Sequence, residues 1–155
     1  MRTVLGRQSQ SVRSLGAALA AIVGLIAATG PQAFADVRIV SSPGGEIEKH
    51  LQYFERIKRS GERVIIDGPC LSACTLVLST LPRNRICMTS RAVLGFHAPF
   101  IMDDNGRTFR TRKLTHAMAA SYPAAVRSWL KRKGGLTPQL KYLKGRELTS
   151  MYPRC

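Results

Sequence analysis

Apolar positions change their spacing several times along this chain, and each change marks an element. Val37 to Val40 has β-branched residues at three of four positions, a short strand. Ser41-Ser42-Pro43-Gly44-Gly45 follows as a turn. From Glu46 the spacing turns helical, with Ile47, Leu51, Phe54 and Ile57 on one face and Glu55 and Arg59 placed as an i,i+4 ion pair on the other. Gly61 stops that helix. Arg63 to Ile66 is a second strand, and Val64-Ile65-Ile66 reads as buried on both faces. It ends at Asp67-Gly68-Pro69. A short apolar helix is predicted over Ser72 to Leu81, with Ser72 able to cap its own helix start, and Pro82-Arg83-Asn84 breaks it. Arg85 to Met88 and Ala92 to Phe96 are further strands, the second ending at His97.

Past Pro99, Asp103-Asp104-Asn105-Gly106 is a turn signal that makes a hairpin of Phe100-Ile101-Met102 and Thr108-Phe109. Leu114, Met118, Val126 and Trp129 mark a long helical stretch that Pro123 kinks or splits and Gly134-Gly135 ends. Thr137-Pro138 predicts another helix start, and a last helical turn runs from Glu147 to Tyr152.

Alternating strands and helices predict an α/β fold, a short parallel sheet with crossover helices and a helical C-terminal part. Such sheets bind ligands at the carboxyl ends of their strands. The turns at Gly44-Gly45 and Gly68–Ser72, and the strand end at His97, would then meet at one edge.

The first 35 residues change the picture of where the protein works. Arg2, Arg7 and Arg13 stand in a polar opening, an apolar run covers Leu15 to Ala28, and Ala33-Phe34-Ala35 closes the segment. This is the pattern of a secretory signal peptide cleaved before Asp36, leaving one domain over residues 36–155 in the periplasm or outside the cell. A retained anchor is the other reading; Gly24 and a run shorter than the roughly 20 residues of a spanning helix count against it.

Of the 24 lysines and arginines three lie in that leader, so the remaining part carries 21 against all 9 acidic residues, a formal charge of +12. Charge of this size bears on partners rather than on fold. An anionic envelope surface or acidic protein fits; nucleic acid does not, since no recognition motif is present. Cys70, Cys74, Cys87 and Cys155 make an even set that predicts two disulfides after export, with three pairings open. A bridge from Cys70 or Cys74 to Cys87 or Cys155 would lock the turn around Ser72. The cysteines lack the companions of a zinc site, no Cys-x-x-Cys redox motif is present, and no metal or cofactor is called for.

The candidate chemistry gathers at the strand ends. A serine at a strand-to-helix turn has unpaired backbone N–H groups beside it, so Ser72 can be a nucleophile with the Ala73 N–H directed at an oxyanion. Gly44 and Gly45 let backbone approach closely enough to supply a second donor. His97 can act as the base. Taken singly, a capping serine, a plain turn and a structural histidine are the commoner roles of such residues.

Their order is more specific. Ser-Pro-Gly-Gly at 42–45, Gly-Pro-Cys-Leu-Ser-Ala-Cys at 68–74 and Gly-Phe-His-Ala-Pro at 95–99 resemble the successive active-site segments of ClpP-type serine peptidases, within the ClpP/crotonase-like superfamily. The spacings are similar too, 27 residues from Gly45 to Ser72 and 25 from Ser72 to His97. The resemblance covers residues 37–99. It implies a ClpP/crotonase-like core and a serine hydrolase acting on a peptide or protein, with Ser72 as nucleophile, His97 as base, and Gly44, Gly45 and Ala73 at the oxyanion. It also implies self-association. A third triad member is expected downstream: Glu147 at about the family's distance, with Asp103 and Asp104 as alternatives. This sequence departs from the family in having Ala73 where Met is common, and the leader where the family has a further strand-and-helix unit. The competing reading is a non-catalytic module of the same fold that binds an anionic envelope component or a protein partner.

Overall fold

A computed structural model describes residues 35–155. All but the last residue of the expected leader lies outside the described residues, which belong to one unit. They form a mixed α/β fold of small sheets and five α-helices.

Strand β1 (Val37–Ile39) leads through the 41–46 turn into helix α1 (Ile47–Ser60), which ends at Gly61. Phe54 and Ile57 are buried, but Leu51 is exposed, since the buried face of α1 is narrower than its apolar stripe. The expected Glu55–Arg59 pair is replaced by Lys58–Glu55 at 3.3 Å. Strand β2 (Val64–Ile66) is buried at all three positions, as its unbroken apolar run requires.

The segment after β2 departs from expectation. Pro69–Leu71 is a strand, β3, and Ser72–Leu76 is a 3-10 helix rather than the start of an α-helix. Helix α2 covers Val77–Thr80 alone. Strands β4 (Ile86–Met88) and β5 (Val93–Phe96) follow. Next come the hairpin β6 (Ile101–Met102) and β7 (Thr108–Phe109), helix α3 (Arg112–Ser121) and helix α4 (Ala124–Arg132). Pro123 stands between α3 and α4, splitting the helical stretch. The helix expected from Thr137-Pro138 is absent: bends cover Pro138 and Gln139, and Lys141–Lys144 forms strand β8. Its Leu143 is fully buried, and pairing with β5 overrides the local helix-start signal. Helix α5 (Gly145–Thr149) follows.

Instead of one parallel sheet there are two small sheets and the hairpin. The first is parallel throughout, in the order β1-β2-β4; the second, in the order β3-β5-β8, pairs β5 parallel to β3 and antiparallel to β8. The chain passes between the two sheets within a few residues. Ser42 extends beyond β1 to bridge Cys70 of β3, while Gly68 lets β2 turn into β3. A Cβ at Gly68 would lie 2.0 Å from the Val40 carbonyl oxygen, so only glycine permits this approach. Phe54, Ile66, Met88, Leu94, Phe96, Tyr122, Trp129 and Leu143 are among the core residues packed where the sheets and helices meet. Among the described residues no helix is long and apolar enough to cross a membrane.

Both disulfides expected from the even cysteine set are present, Cys70–Cys74 and Cys87–Cys155. The long bridge expected from the Ser72 turn to Cys87 or Cys155 is not formed. Cys70 and Cys74 pair with each other across Ser72, because the strand end and the tight 3-10 turn bring their Cα atoms to 5.3 Å. Two such bonds fit an oxidising compartment.

Candidate active site

Ser72 begins the 3-10 helix with φ +54°, the only non-glycine residue with positive φ among the described residues. The helix takes Leu71 as its N-cap and has no side-chain cap, so the expected capping role of Ser72 is not what its hydroxyl performs. That oxygen lies 2.8 Å from Nε2 of His97.

His97 follows β5 directly. Its Nδ1 is 2.8 Å from the Ala98 carbonyl oxygen, which can only accept, so Nδ1 carries a proton and, in the neutral imidazole, Nε2 presents its lone pair to Ser72. In that form Ser72 donates to His97. The carbonyl is held in turn: the Ala98 N–H donates to the Thr137 carbonyl at 2.7 Å, and Pro99 keeps the preceding residue extended. Phe100 stacks on the imidazole, with ring centroids 6.3 Å apart and planes inclined by 21°, and Arg110 lies over the Phe100 ring at 5.6 Å.

Glu147 is elsewhere. Its Oε1 accepts from Trp129 Nε1 at 3.2 Å and pairs with Lys133 at 3.5 Å, so it makes neither of the His97 ring contacts. Asp103 takes the backbone N–H groups of Asn105 and Arg107 and pairs with the Arg107 side chain at 2.9 Å, all within its hairpin turn. Those bonds hold its carboxyl below the ordinary range, the Arg107 N–H foremost. Asp104 is exposed on the same turn. A backbone carbonyl stands where a triad carboxylate was expected, and spacing alone gives no sign of that.

Gly44, Gly45 and Ala73 converge on Ser72. Gly44 has φ +93°, and a Cβ built there would fall 2.5 Å from the Ser72 Cβ, 2.7 Å from the Leu71 carbonyl oxygen and 3.1 Å from the Ala73 nitrogen. Its backbone is thus wedged against the Ser72 turn. Gly45 and Ala73 line the cleft beside it. The Ala73 N–H lies in the first turn of the 3-10 helix, where backbone donors have no partner within the helix.

The cleft, about 860 Å³, is bounded by the 43–48 segment, by Ser72, Ala73 and His97, by the start of the hairpin and by α3. Ile47, Phe100, Met102, Leu114 and Met118 give it apolar walls, and Glu46 and Glu48 lie on the α1 side. Three separated segments, 42–45, 68–74 and 95–99, therefore do meet at one place. Sequence reasoning did not find Thr75 and Tyr122. Thr75 donates to the Ser72 carbonyl at 2.7 Å and is 2.7 Å from the buried Tyr122 hydroxyl. A threonine in an apolar helix start looks like a spacer, and only the fold brings Tyr122 to it.

Among the described residues no group of three or more His, Cys, Asp or Glu side chains could hold a metal ion. In comparison with known proteins, no family model and no curated sequence matches the chain.

Proposed function

We propose that this protein is an exported serine hydrolase of the ClpP/crotonase-like type, a peptidase working through an acyl-enzyme. The observation that carries the reading is the 2.8 Å contact between Ser72 Oγ and His97 Nε2, in the tautomer that makes the histidine an acceptor.

In this reading Ser72 attacks a substrate carbonyl while its proton passes to Nε2 of His97. The oxyanion then faces the Ala73 N–H and the backbone of the Gly44-Gly45 turn; each such donor is worth about 10²–10³ in rate. His97 returns the proton to the leaving amine, and water, activated by the same base, releases the acyl group. The Ala98 carbonyl performs two of the duties of a triad carboxylate, fixing the tautomer and orienting the ring. It lacks the full negative charge that would stabilise the imidazolium, so turnover slower than with a buried aspartate follows. The apolar cleft walls supply the surface on which a peptide side chain would rest.

Labelling with a fluorophosphonate probe tests the reading, with Ser72→Ala as control. A folded, disulfide-intact wild type that never labels would overturn it.

One observation favours a second reading: no carboxylate backs His97. A non-catalytic module of the same fold would use its basic surface to bind an anionic envelope component or an acidic protein. Binding that survives Ser72→Ala and weakens steeply with salt would support this alternative.

A further inference from the structure

We propose that Thr75 and Tyr122 are positioning residues that hold the Ser72 turn in its left-handed conformation and thereby aim the nucleophile at His97; the proposal rests on the hydrolase reading above.

A serine at φ +54° is strained and persists only where its surroundings over-determine it. The disulfide between Cys70 and Cys74 closes the chain on either side of Ser72, and the Gly44 backbone packs against the Leu71 carbonyl and the Ala73 nitrogen. The side-chain hydrogen bond on the turn comes from the Thr75 hydroxyl, which gives its single proton to the Ser72 carbonyl at 2.7 Å. With that proton committed, the Thr75 oxygen can only accept from Tyr122, 2.7 Å away, so the phenol is the donor and the chain of bonds has one direction. Both residues are buried, Thr75 completely. Burial pushes the Tyr122 phenol up to about 12, against a smaller opposing effect of the Thr75 bond, so it keeps the proton it donates.

The far end of this chain is anchored in the same strand that delivers the base. Tyr122 meets Phe96 edge-on, with centroids 5.2 Å apart, and Phe96 immediately precedes His97. Tyr122 also directly follows α3, whose Leu114 and Met118 line the cleft. Nucleophile, base and cleft wall thus share one buried aromatic group. A threonine hydroxyl bonded three residues back is also a common local arrangement near helix starts, with no role beyond the turn itself. The measurement has to tell the two apart.

The test uses Thr75→Val, Thr75→Ser and Tyr122→Phe in the disulfide-intact protein. Three quantities are read: thermal stability, the rate of fluorophosphonate labelling per folded molecule, and the Ser72 backbone conformation from a crystal structure or from its Cα and Cβ chemical shifts. Thr75→Val is expected to slow labelling about 100-fold, the scale of a displacement near 1 Å at a reacting group. Ser72 should relax to negative φ and its hydroxyl leave the reach of His97. Thr75→Ser, which keeps the hydroxyl, should restore both. Tyr122→Phe should fall between them. If Thr75→Val does not fold, the Tyr122→Phe and Thr75→Ser pair carries the same comparison. A left-handed Ser72 retained in Thr75→Val or Tyr122→Phe, or variants that lose stability while labelling at the wild-type rate, would overturn the proposal. A wild type that never labels removes the hydrolase reading alone, since the Ser72 conformation still reports on the tether.

Discussion

His97 Nε2 and Ser72 Oγ are 2.8 Å apart although 25 residues separate them in the chain, because β3 and β5 run parallel and end side by side. Leu71 pairs with Gly95, so the residue after each strand end reaches the same cleft. His97→Gln keeps the shape and a polar group but removes the basic lone pair. Loss of a positioned base slows proton transfer by about 10²–10⁴-fold. Fluorophosphonate labelling of His97→Gln should fall within that range with the melting temperature little changed, and wild-type labelling would exclude His97 as the base.

Gly44 and Gly45 should respond differently to alanine. At Gly44 the new methyl meets the Ser72 Cβ and the Leu71 carbonyl at distances that cannot be held, on top of a positive φ. A loss of about 2 kcal/mol or more is expected from overpacking and strain together. At Gly45 the nearest atom is the His50 ring at 3.7 Å, so strain acts alone, at about 1 kcal/mol. Thermal melts should separate them, since 1 kcal/mol moves the midpoint by roughly 4 °C in a domain of this size.

Glu147→Gln should leave labelling within about twofold of wild type. Its carboxylate holds Trp129 and a half-exposed Lys133, and an ion pair of that exposure contributes at most about 1 kcal/mol. A large fall in labelling with stability intact would place Glu147 in the chemistry after all.

The two disulfides should differ in what they contribute. Cys87–Cys155 spans 68 positions and ties the chain end beside β4, whereas Cys70–Cys74 spans four. On the loop-entropy model these stabilise by about 4 and about 2 kcal/mol respectively. Denaturant unfolding of Cys87→Ser with Cys155→Ser, and of Cys70→Ser with Cys74→Ser, compares them. An equal or reversed ranking would show that native-state packing around Ser72 outweighs chain entropy.

Asp67 should make the protein's stability fall in acid. Hydrogen bonds from Thr89, Arg91 and Arg38, in that order of effect, hold its carboxyl at about 2. The folded value lies below the unfolded value near 4, so the stabilisation is complete above pH 4 and is lost as the pH falls toward 2. Asp67→Asn should lower stability at neutral pH and flatten the acid limb between pH 4 and 2. An unchanged acid limb would assign that dependence to other carboxylates.

Much of the strand-end geometry was legible in the residues. The apolar triplet 64–66, the helical spacing up to Ile57, the stop at Gly61 and the turn at 103–106 are local signals, and the fold follows them. So is the grouping of 42–45, 68–74 and 95–99 at one cleft, because β-strands followed by glycine-bearing turns carry those segments to strand ends. Strand β3 was not legible. Three residues beginning with proline give no period, and they become a strand only by pairing with β5 and bridging Ser42. Strand β8 was misread for the same reason, since Thr137-Pro138 is a helix-start signal locally and Leu143 is drawn into the core by its partner strand.

At the site itself, the sequence determined which side chains could react: one serine on a turn after a strand, one histidine after another, glycines where backbone must pass, and a proline that holds Ala98 extended. Tertiary structure alone decided how they are oriented. Whether His97 leans on Glu147 or on the Ala98 carbonyl, whether Cys74 pairs across Ser72 or across the molecule, and whether a tyrosine 47 positions away from Thr75 reaches it all depend on side-chain directions. Those directions are set by packing in three dimensions. Linear spacing carries the identity of a group but not the vector of its lone pair.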